Sequence, residues 1–468
     1  MSTYDPTRTY TAAVIGAGSG GLTLAIGLAG FDHEVVLIEA AKVGGDCTNV
    51  GCVPSKALLH AASSGVEDPL AFARAKAQDL NETEAEEMDE HDQIHLVRGW
   101  ARLTGRSEPH VVEVTAADGS VSEVRADNVI ICAGSAPVSF PIDGLDPDML
   151  VTNENVFELS SIPGRIVLIG GGAISLEMAT AFCDMGSEVD IIELNDRLIG
   201  NDDPLVSETI QAALEARGIG VHTGTSIERF DGRTAHLEDG NTIGDVDKVL
   251  LAVGRKARFG DLGLDAAGVE TSERGIVADT WGATSVDKIW AVGDVTGNTL
   301  TTHGANSIGR RTVRAIALPL PRIGSPRVRA NAVYSRPQIA SVGVSMDELN
   351  AMSPAGRRRY EIPIADIDRG YTDDVEHGVA MVDVERFTGK ILRAAIVGPA
   401  AAEIIGIFTM AIDHDIGLRK MFGMVHPYPS YAQLVGRLAD DFARDSYPVM
   451  HKEWLQMMRG RLTDRFRS

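Results

Sequence analysis

Ala12-Ala13-Val14-Ile15 runs directly into Gly16-Ala17-Gly18-Ser19-Gly20-Gly21, a small-residue stretch follows to Ala29, and Glu34-Val35-Val36-Leu37-Ile38-Glu39 comes next. The same order of features returns later: Arg165-Ile166-Val167-Leu168-Ile169, Gly170-Gly171-Gly172-Ala173-Ile174-Ser175, a helix-compatible stretch through Met185, then Val189-Asp190-Ile191-Ile192-Glu193. Each copy predicts a strand, a tight turn, a helix and a second strand, the unit that binds a dinucleotide. The spacing has a mechanical reason. Gly16 and Gly170 allow the turn, and Gly18 and Gly172 let a pyrophosphate approach the backbone. Gly21 lets helix and strand pack closely, and Ser175 stands in its place in the second copy. The helix N-terminus offers unpaired N–H groups and a positive dipole to phosphate. Glu39 and Glu193 each lie 23 residues beyond the first glycine of their copy, where a carboxylate accepts the hydroxyls of an adenosine ribose. A lone glycine-rich turn can be purely structural, but both copies carry the flanking strand, helix and acid. The competing reading is two unliganded Rossmann-like domains.

The chain has 468 residues, and at roughly 150 residues per domain that suggests about three domains. Apolar residues make up 44% and charged residues 23%, which argues for a globular chain and against disorder. No stretch approaches the ~18 uninterrupted apolar residues of a membrane helix. The most apolar segment, Ile391 to Ile412, carries Arg393, Glu403, Gly398 and Pro399 and predicts a buried strand and helix. A net charge of −23 repels phosphate backbones and anionic lipid, so no nucleic acid and no membrane span are expected. The start of the chain lacks the basic and apolar run of a signal peptide, which predicts a cytoplasmic protein.

Residues 94 to 140 hold strand-like runs at Val111-Val112-Glu113-Val114 and Val129-Ile130-Ile131-Cys132 and read as an extension of the first nucleotide unit. Residues 330 to 468 open with Ala332-Val333-Tyr334 and contain an alternating run from Val379 to Val384. Glu82 to Asp92 carries seven acids around Met88 and reads as a solvated helix face or linker. The tail from Val449 to Ser468 is basic, with Val449, Met450, Trp454, Met458, Leu462 and Phe466 at near-helical spacing. It reads as a helix packed on its own dimer, with docking to an acidic partner or a membrane surface as the alternatives.

Four cysteines in so long a chain do not form a disulfide framework. Cys47 and Cys52 are the close pair, set in Gly44-Gly45-Asp46-Cys47-Thr48-Asn49-Val50-Gly51-Cys52-Val53-Pro54-Ser55-Lys56. On an ideal helix, Cα atoms five residues apart are ~8.6 Å from one another, beyond the ~7 Å a disulfide tolerates. A bridge therefore requires a bent turn, which Gly51 permits, and such a bridge should be reducible. Zinc is the competing use, but it needs two further Cys or His ligands and no second close pair exists.

This arrangement resembles the flavin-dependent pyridine nucleotide–disulfide oxidoreductases over nearly the whole chain. The elements that carry the likeness are a glycine-rich FAD site, the segment GGxCxNxGCxPSK, a second glycine-rich NAD(P) site and a C-terminal domain. Trp290-Ala291-Val292-Gly293-Asp294 resembles the second FAD motif, whose Asp294 would hydrogen-bond the ribityl chain. Leu250-Leu251-Ala252-Val253-Gly254-Arg255 resembles the segment that closes the nicotinamide domain. The resemblance implies an α/β fold of two three-layer Rossmann-like domains, for FAD and NAD(P), plus an α+β C-terminal dimerisation domain. The implied division is 1–150 and 271–330 for FAD, 151–270 for NAD(P), and 331–468 for the interface of a homodimer. It also implies an enzyme in which hydride passes from a nicotinamide to the flavin, electrons pass on to a Cys47–Cys52 disulfide, and the dithiol reduces an external disulfide, small or protein-borne. The same parts run backward in dithiol dehydrogenases. Cys52 would face the flavin as a charge-transfer thiolate, Cys47 would be the exposed interchange thiol, and Lys56 and Glu177 would pair beside the flavin N5. An ordinary surface ion pair is the other reading of the last two.

The chain departs from the family near its end. The usual HPTxxE-type motif supplies a His and a Glu that exchange protons with the interchange thiol across the dimer, whereas this chain reads Val425-His426-Pro427-Tyr428-Pro429-Ser430-Tyr431-Ala432-Gln433. One register puts Tyr428 at the His position and Gln433 at the Glu position. Another uses His426 and leaves Tyr431 at the Glu position, so the pair is incomplete either way. His426 also reads as an interface packing residue. Mercuric reductases are similar in carrying Tyr near here, but they have a further C-terminal cysteine pair, and the last cysteine here is Cys183. Only about 48 residues separate Cys52 from Arg98-Gly99-Trp100, fewer than relatives usually have, which predicts a lower wall beside the thiols. Glu193 with no Arg directly after it favours NAD(H) over NADP(H), while Arg197 keeps NADPH in play. Metal-ion or quinone reduction, and a flavin-binding regulatory protein without turnover, are the alternative functions.

Overall fold

The computed structural model describes residues 4–298, 300–318, 320–323 and 329–447. The basic tail from Val449 to Ser468 lies outside the described residues. The chain divides into two compact units, one of 4–170, 181–188 and 227–323, the other of 171–180, 189–226 and 329–447.

In the first unit, β1 (Thr9–Ile15) pairs in parallel with β2 (Val35–Glu39) and with β6 (Val121–Ile131). The sheet runs β3 (Ile94–Arg98), β2, β1, β6, β5 (His110–Thr115), β4 (Trp100–Leu103). Ala12 and Val14 project to one face with α1 (Ser19–Ala29), while Ala13 and Ile15 project to the other. Both faces are therefore covered, which is why β1 and β2 read as continuous apolar runs. Each fully buried Val or Leu of this kind contributes about 1.5–3 kcal/mol.

Three helices follow the first nucleotide turn: α2 (Gly45–Val50), α3 (Cys52–Ser63) and α4 (Pro69–Glu90). The acidic run from Glu82 forms the second half of α4, where Met88 is buried and Glu84 reaches inward to the Thr48 hydroxyl. Beyond them, β7 (Ser135–Pro137) pairs antiparallel with β16 (Arg255–Ala257). β15 (Lys248–Leu251) lies in parallel between β8 (Leu150–Val151) and β9 (Arg165–Ile169). A small antiparallel sheet is built from β12 (Ile227–Asp231), β13 (Thr234–Leu237) and β14 (Thr242–Ile243). After α7 (Leu264–Ala267) and the pair β17 (Thr271–Ser272) and β18 (Gly275–Ile276), the chain returns to the first sheet. There β19 (Ile289–Ala291) pairs in parallel with β6. α8 (Thr302–Ala317) then packs on α1.

In the second unit, which takes in the start of α5 (Ala173–Asp184), β10 (Glu188–Glu193) pairs in parallel with β11 (Gly220–Thr223), and Asp203 caps α6 (Pro204–Ala216). An antiparallel sheet runs β20 (Arg329–Val333), β21 (Gln338–Gly343), β24 (Ile391–Gly398), β23 (Val379–Glu385), β22 (Arg357–Pro363). It is joined by α9 (Met346–Ala351), α10 (Asp368–Thr372), α11 (Ala401–Asp413), α12 (Leu418–Met421) and a helix over 433–447. Within Ile391 to Ile412 the strand is fully buried, whereas α11 buries one face and exposes Glu403, Gly406 and Met410. The run Val379 to Val384 differs from a half-exposed alternating strand, because every one of its residues is buried. Ala380, Val382 and Val384 face the helical core. On the opposite face Asp383 is buried against Arg359, whose guanidinium also holds Asp203 at 2.5 Å.

Candidate active site

The first nucleotide turn is shaped by backbone sterics. Gly16 has φ +101°, and a Cβ there would stand 2.4 Å from the Cys132 carbonyl oxygen, so only glycine makes this turn. At Gly18 an added Cβ would come no nearer than 3.8 Å to another atom, and at Gly172 it would meet nothing within 4 Å. Gly172 faces open space and Gly18 makes only an ordinary contact with Gly45, which leaves both backbones able to receive a pyrophosphate. α1 starts at Gly18 with no side-chain cap and no acid in its first turn, leaving its N–H groups for an anion. Glu39 accepts from the N–H groups of Ala17 and Ala41, each at 2.7 Å. In the second copy Gly170 has φ +106°. Buried Glu193 accepts from the Gly171 N–H and, at 2.7 Å, from the Asn195 N–H. Carboxylates fixed this way keep lone pairs for ribose hydroxyls.

The cysteine segment is fastened to the first turn by backbone. The Gly44 N–H donates to the Ala17 carbonyl at 2.8 Å, and Gly18 and Gly44 form a parallel bridge. α2 ends at Gly51, whose φ of −130° and ψ of −116° break the helix before α3 starts at Cys52. A Cβ on Gly51 would stand 2.8 Å from the Asp46 carbonyl oxygen. The break brings the Cys47 and Cys52 thiols into hydrogen-bonding contact. That contact, followed by burial, pushes the Cys47 thiol pKa well up. Cys52 is the other member of this close sulfur pair. Its sulfur lies 3.6 Å from the Thr302 hydroxyl at the start of α8, where the positive end of a sixteen-residue helix favours a thiolate. Cys52 is exposed and Cys47 half-buried, the reverse of the exposure expected of Cys47, because the bend at Gly51 leaves Cys52 at the open start of α3.

Asp294 accepts from the Ser135 hydroxyl at 2.6 Å. Burial raises its pKa, and the Ser135 hydrogen bond and Arg255 oppose that rise.

Residues 10–313 match the family described as pyridine nucleotide-disulphide oxidoreductase, and residues 329–439 match that family's dimerisation domain. The chain belongs to this family. The enzyme is thus an FAD- and pyridine nucleotide-dependent oxidoreductase that passes electrons between NAD(P)H and a disulfide or dithiol through flavin, and its dimerisation domain supports a homodimer. When bound, FAD accepts hydride from the nicotinamide and passes electrons on to sulfur. The oxidoreductase is 30% identical to dihydrolipoyl dehydrogenase 3 of Pseudomonas putida, over 92% of this chain and 98% of that protein. It is 30% identical to mercuric reductase of Streptomyces lividans, over 93% of this chain and 97% of that one. Among solved structures it resembles an HOCl-induced flavoprotein disulfide reductase from Escherichia coli at 26% identity, with TM-score 0.82, covering 92% of this chain and 99% of that one.

The remaining sites of the oxidoreductase fall in both units. Lys56 follows Cys52 by four residues on α3 and so shares its face. Glu177 is buried and accepts from the Tyr334 N–H at 3.0 Å. Gly254 has φ +123° and leads into β16. In the departing motif, Tyr428 is 71% exposed and its phenol is hydrogen-bonded to Asp368, which raises its pKa. Tyr431 donates to Asp373 at 2.7 Å. Gln433 is spent on the Ser430 N–H at 3.4 Å. His426 turns the other way: its ring packs on Gly436, and its Nε2 is buried with no hydrogen-bond partner among the described residues. No three His, Cys, Asp or Glu side chains among the described residues converge to hold a metal ion. No described helix is long and apolar enough to cross a membrane. Neither Thr302 nor Asp368 is legible in the sequence as a site neighbour. A Thr-Thr pair before an amphipathic helix is the one local hint of the first, and nothing local marks the second.

Proposed function

We propose that this oxidoreductase is an NADH-dependent disulfide reductase in which Cys47 and Cys52 carry the electrons to the acceptor. Gly16, Gly18, Gly21, Glu39 and Asp294 would hold FAD, with Lys56 and Glu177 beside the flavin. Gly170, Gly172, Glu193 and Gly254 would serve the nicotinamide coenzyme. The return of β19 to the sheet of β1 supports assigning 1–150 and 271–330 together to FAD, with 151–270 for NAD(H) and 331–468 for the interface. The observation that carries the reading is the pair of touching thiols on either side of Gly51, both in contact with Thr302 and both on a segment tied by backbone to the dinucleotide turn.

The chemistry then balances as a dithiol–disulfide exchange. The Cys47 sulfur attacks one sulfur of the acceptor, forms a mixed disulfide and releases the first product thiol. Cys52 attacks the Cys47 sulfur, closes the internal disulfide and releases the second, so the two protons of the dithiol leave with the two products. Bound FAD would supply the hydride acceptance by which NADH, with one proton from solvent, restores the dithiol. Preference for NADH is supported by buried Glu193 at the end of β10, whose charge repels a 2′-phosphate. Tyr428 rather than His426 is the residue offered to the partner subunit, because its side chain faces outward. To act on the sulfur undergoing exchange, Tyr428 would turn its one O–H from Asp368 to that sulfur, serving as a donor rather than as a base.

The test is a panel of acceptors with NADH: small disulfides, a protein disulfide, Cu(II), Hg(II) and a quinone. Reduction of a disulfide that Cys47→Ser abolishes supports the reading. Turnover of metal or quinone alone, surviving Cys47→Ser, defeats it.

A further inference from the structure

Asp46 immediately precedes Cys47 in the first turn of α2. Its carboxylate is bound by the Arg255 guanidinium, which arrives from the first residue of β16. Arg255 is largely buried, with 15% side-chain exposure, and makes four hydrogen bonds. Nε donates to the Ser135 hydroxyl at 2.7 Å, one terminal nitrogen to Asn153 Oδ1 at 3.3 Å, and the other to the Ser135 carbonyl at 3.0 Å and to Asp46. The Ser135 hydroxyl in turn donates to Asp294, which lies 3.8 Å from Arg255 Nε. One guanidinium thus answers two carboxylates, one beside the redox cysteine and one at the place expected to meet the ribityl chain. α2 has six residues, starts at Gly44 in the left-handed region and stops at Gly51, with no side-chain cap. So short a helix has little stability of its own, and an outside anchor decides where its side chains stand.

We propose that the Asp46–Arg255 ion pair is the positioning device for Cys47, fixing the interchange sulfur relative to Cys52 and to Asp294. The inference rests on the assignment of Cys47 as the sulfur that attacks the acceptor. A planar fork held by four acceptors fixes direction as well as distance. That is the property an attacking sulfur needs, because small misplacements are costly in rate.

The probe is a small aromatic disulfide mixed anaerobically with NADH-reduced protein, following re-oxidation of the dithiol per bound flavin. Melting temperature and FAD content are recorded for each variant. Asp46→Ala is expected to slow re-oxidation about tenfold or more, and Asp46→Glu to restore part of the loss. Should Asp46→Ala lose flavin, Asp46→Asn keeps shape and an acceptor while removing the charge, and is read in the same assay. A per-flavin rate within about twofold of wild type overturns the proposal, even where melting temperature falls, since the pair is then merely structural. If Cys47→Ser is re-oxidised as fast as wild type, the assignment of Cys47 itself fails and the proposal falls with it. A slow Asp46→Ala beside an inactive Cys47→Ser supports both.

Discussion

The Thr302 hydroxyl stands 3.6 Å from the Cys52 sulfur, at the N-terminus of a helix capped by Thr301. A hydroxyl and a helix dipole at this distance both favour negative charge on sulfur. Thr302→Val removes the hydroxyl and keeps the shape, so the thiolate should form at higher pH. In the NADH-reduced enzyme the long-wavelength thiolate–flavin absorbance should titrate about 0.5–1 unit higher than in wild type. An unshifted titration would show that Thr302 does not act on the sulfur.

Gly51→Ala tests the break between α2 and α3. The new methyl would stand 2.8 Å from the Asp46 carbonyl oxygen and 3.3 Å from Cys47 Cα, both backbone atoms, so the turn must open. A loss of about 1–3 kcal/mol in denaturant unfolding is expected, together with slower closure of the internal disulfide on oxidation. Wild-type stability and closure would mean that the bend does not depend on glycine.

The loop after α12 separates two candidate donors. Asp368 raises the Tyr428 phenol pKa above the ordinary value of about 10, because a neighbouring carboxylate disfavours the phenolate. Tyr428 therefore stays protonated throughout the neutral range, and disulfide reduction should show no ionisation from it below pH 9. Tyr428→Phe should lower kcat for the disulfide about tenfold, and Asp368→Asn should let the phenol pKa fall back toward its ordinary value. His426→Ala, on the inward-facing ring, should change kcat by less than about twofold. A larger effect at His426 than at Tyr428 would reverse the assignment.

Coenzyme choice follows from Glu193. NADH should give the higher kcat/KM, and Glu193→Ala should narrow the NADH:NADPH ratio about tenfold or more, the scale of hydrogen bonds lost from a charged acceptor. Equal loss with both coenzymes would mean that Glu193 supports the turn, through its bond to the Gly171 N–H, and does not read the ribose.

What could be read in the sequence is what is local along it. Gly16, Gly18 and Glu39 lie within one strand–turn–helix–strand unit, and Cys47, Gly51 and Cys52 within six residues, so spacing alone carries their geometry. Thr302 and Cys52 are 250 residues apart and Arg255 and Asp46 are 209 apart. No periodicity marks such a contact, which exists only once α8 lies on α1 and β16 on β7. Burial of Asp383 is set in the same way, by Arg359 and Asp203, which are distant from it in sequence. The divergent directions of His426 and Tyr428 are likewise set by the helix over 433–447 and by α10, not by the motif that contains them.

The most direct measurement is an anaerobic titration of the purified, FAD-loaded protein with NADH, following the visible spectrum. The proposed route through Cys47 and Cys52 predicts a long-wavelength charge-transfer band before the flavin is fully bleached, and no such band in Cys52→Ser. Direct bleaching of the wild type with no such band would contradict a route through these thiols.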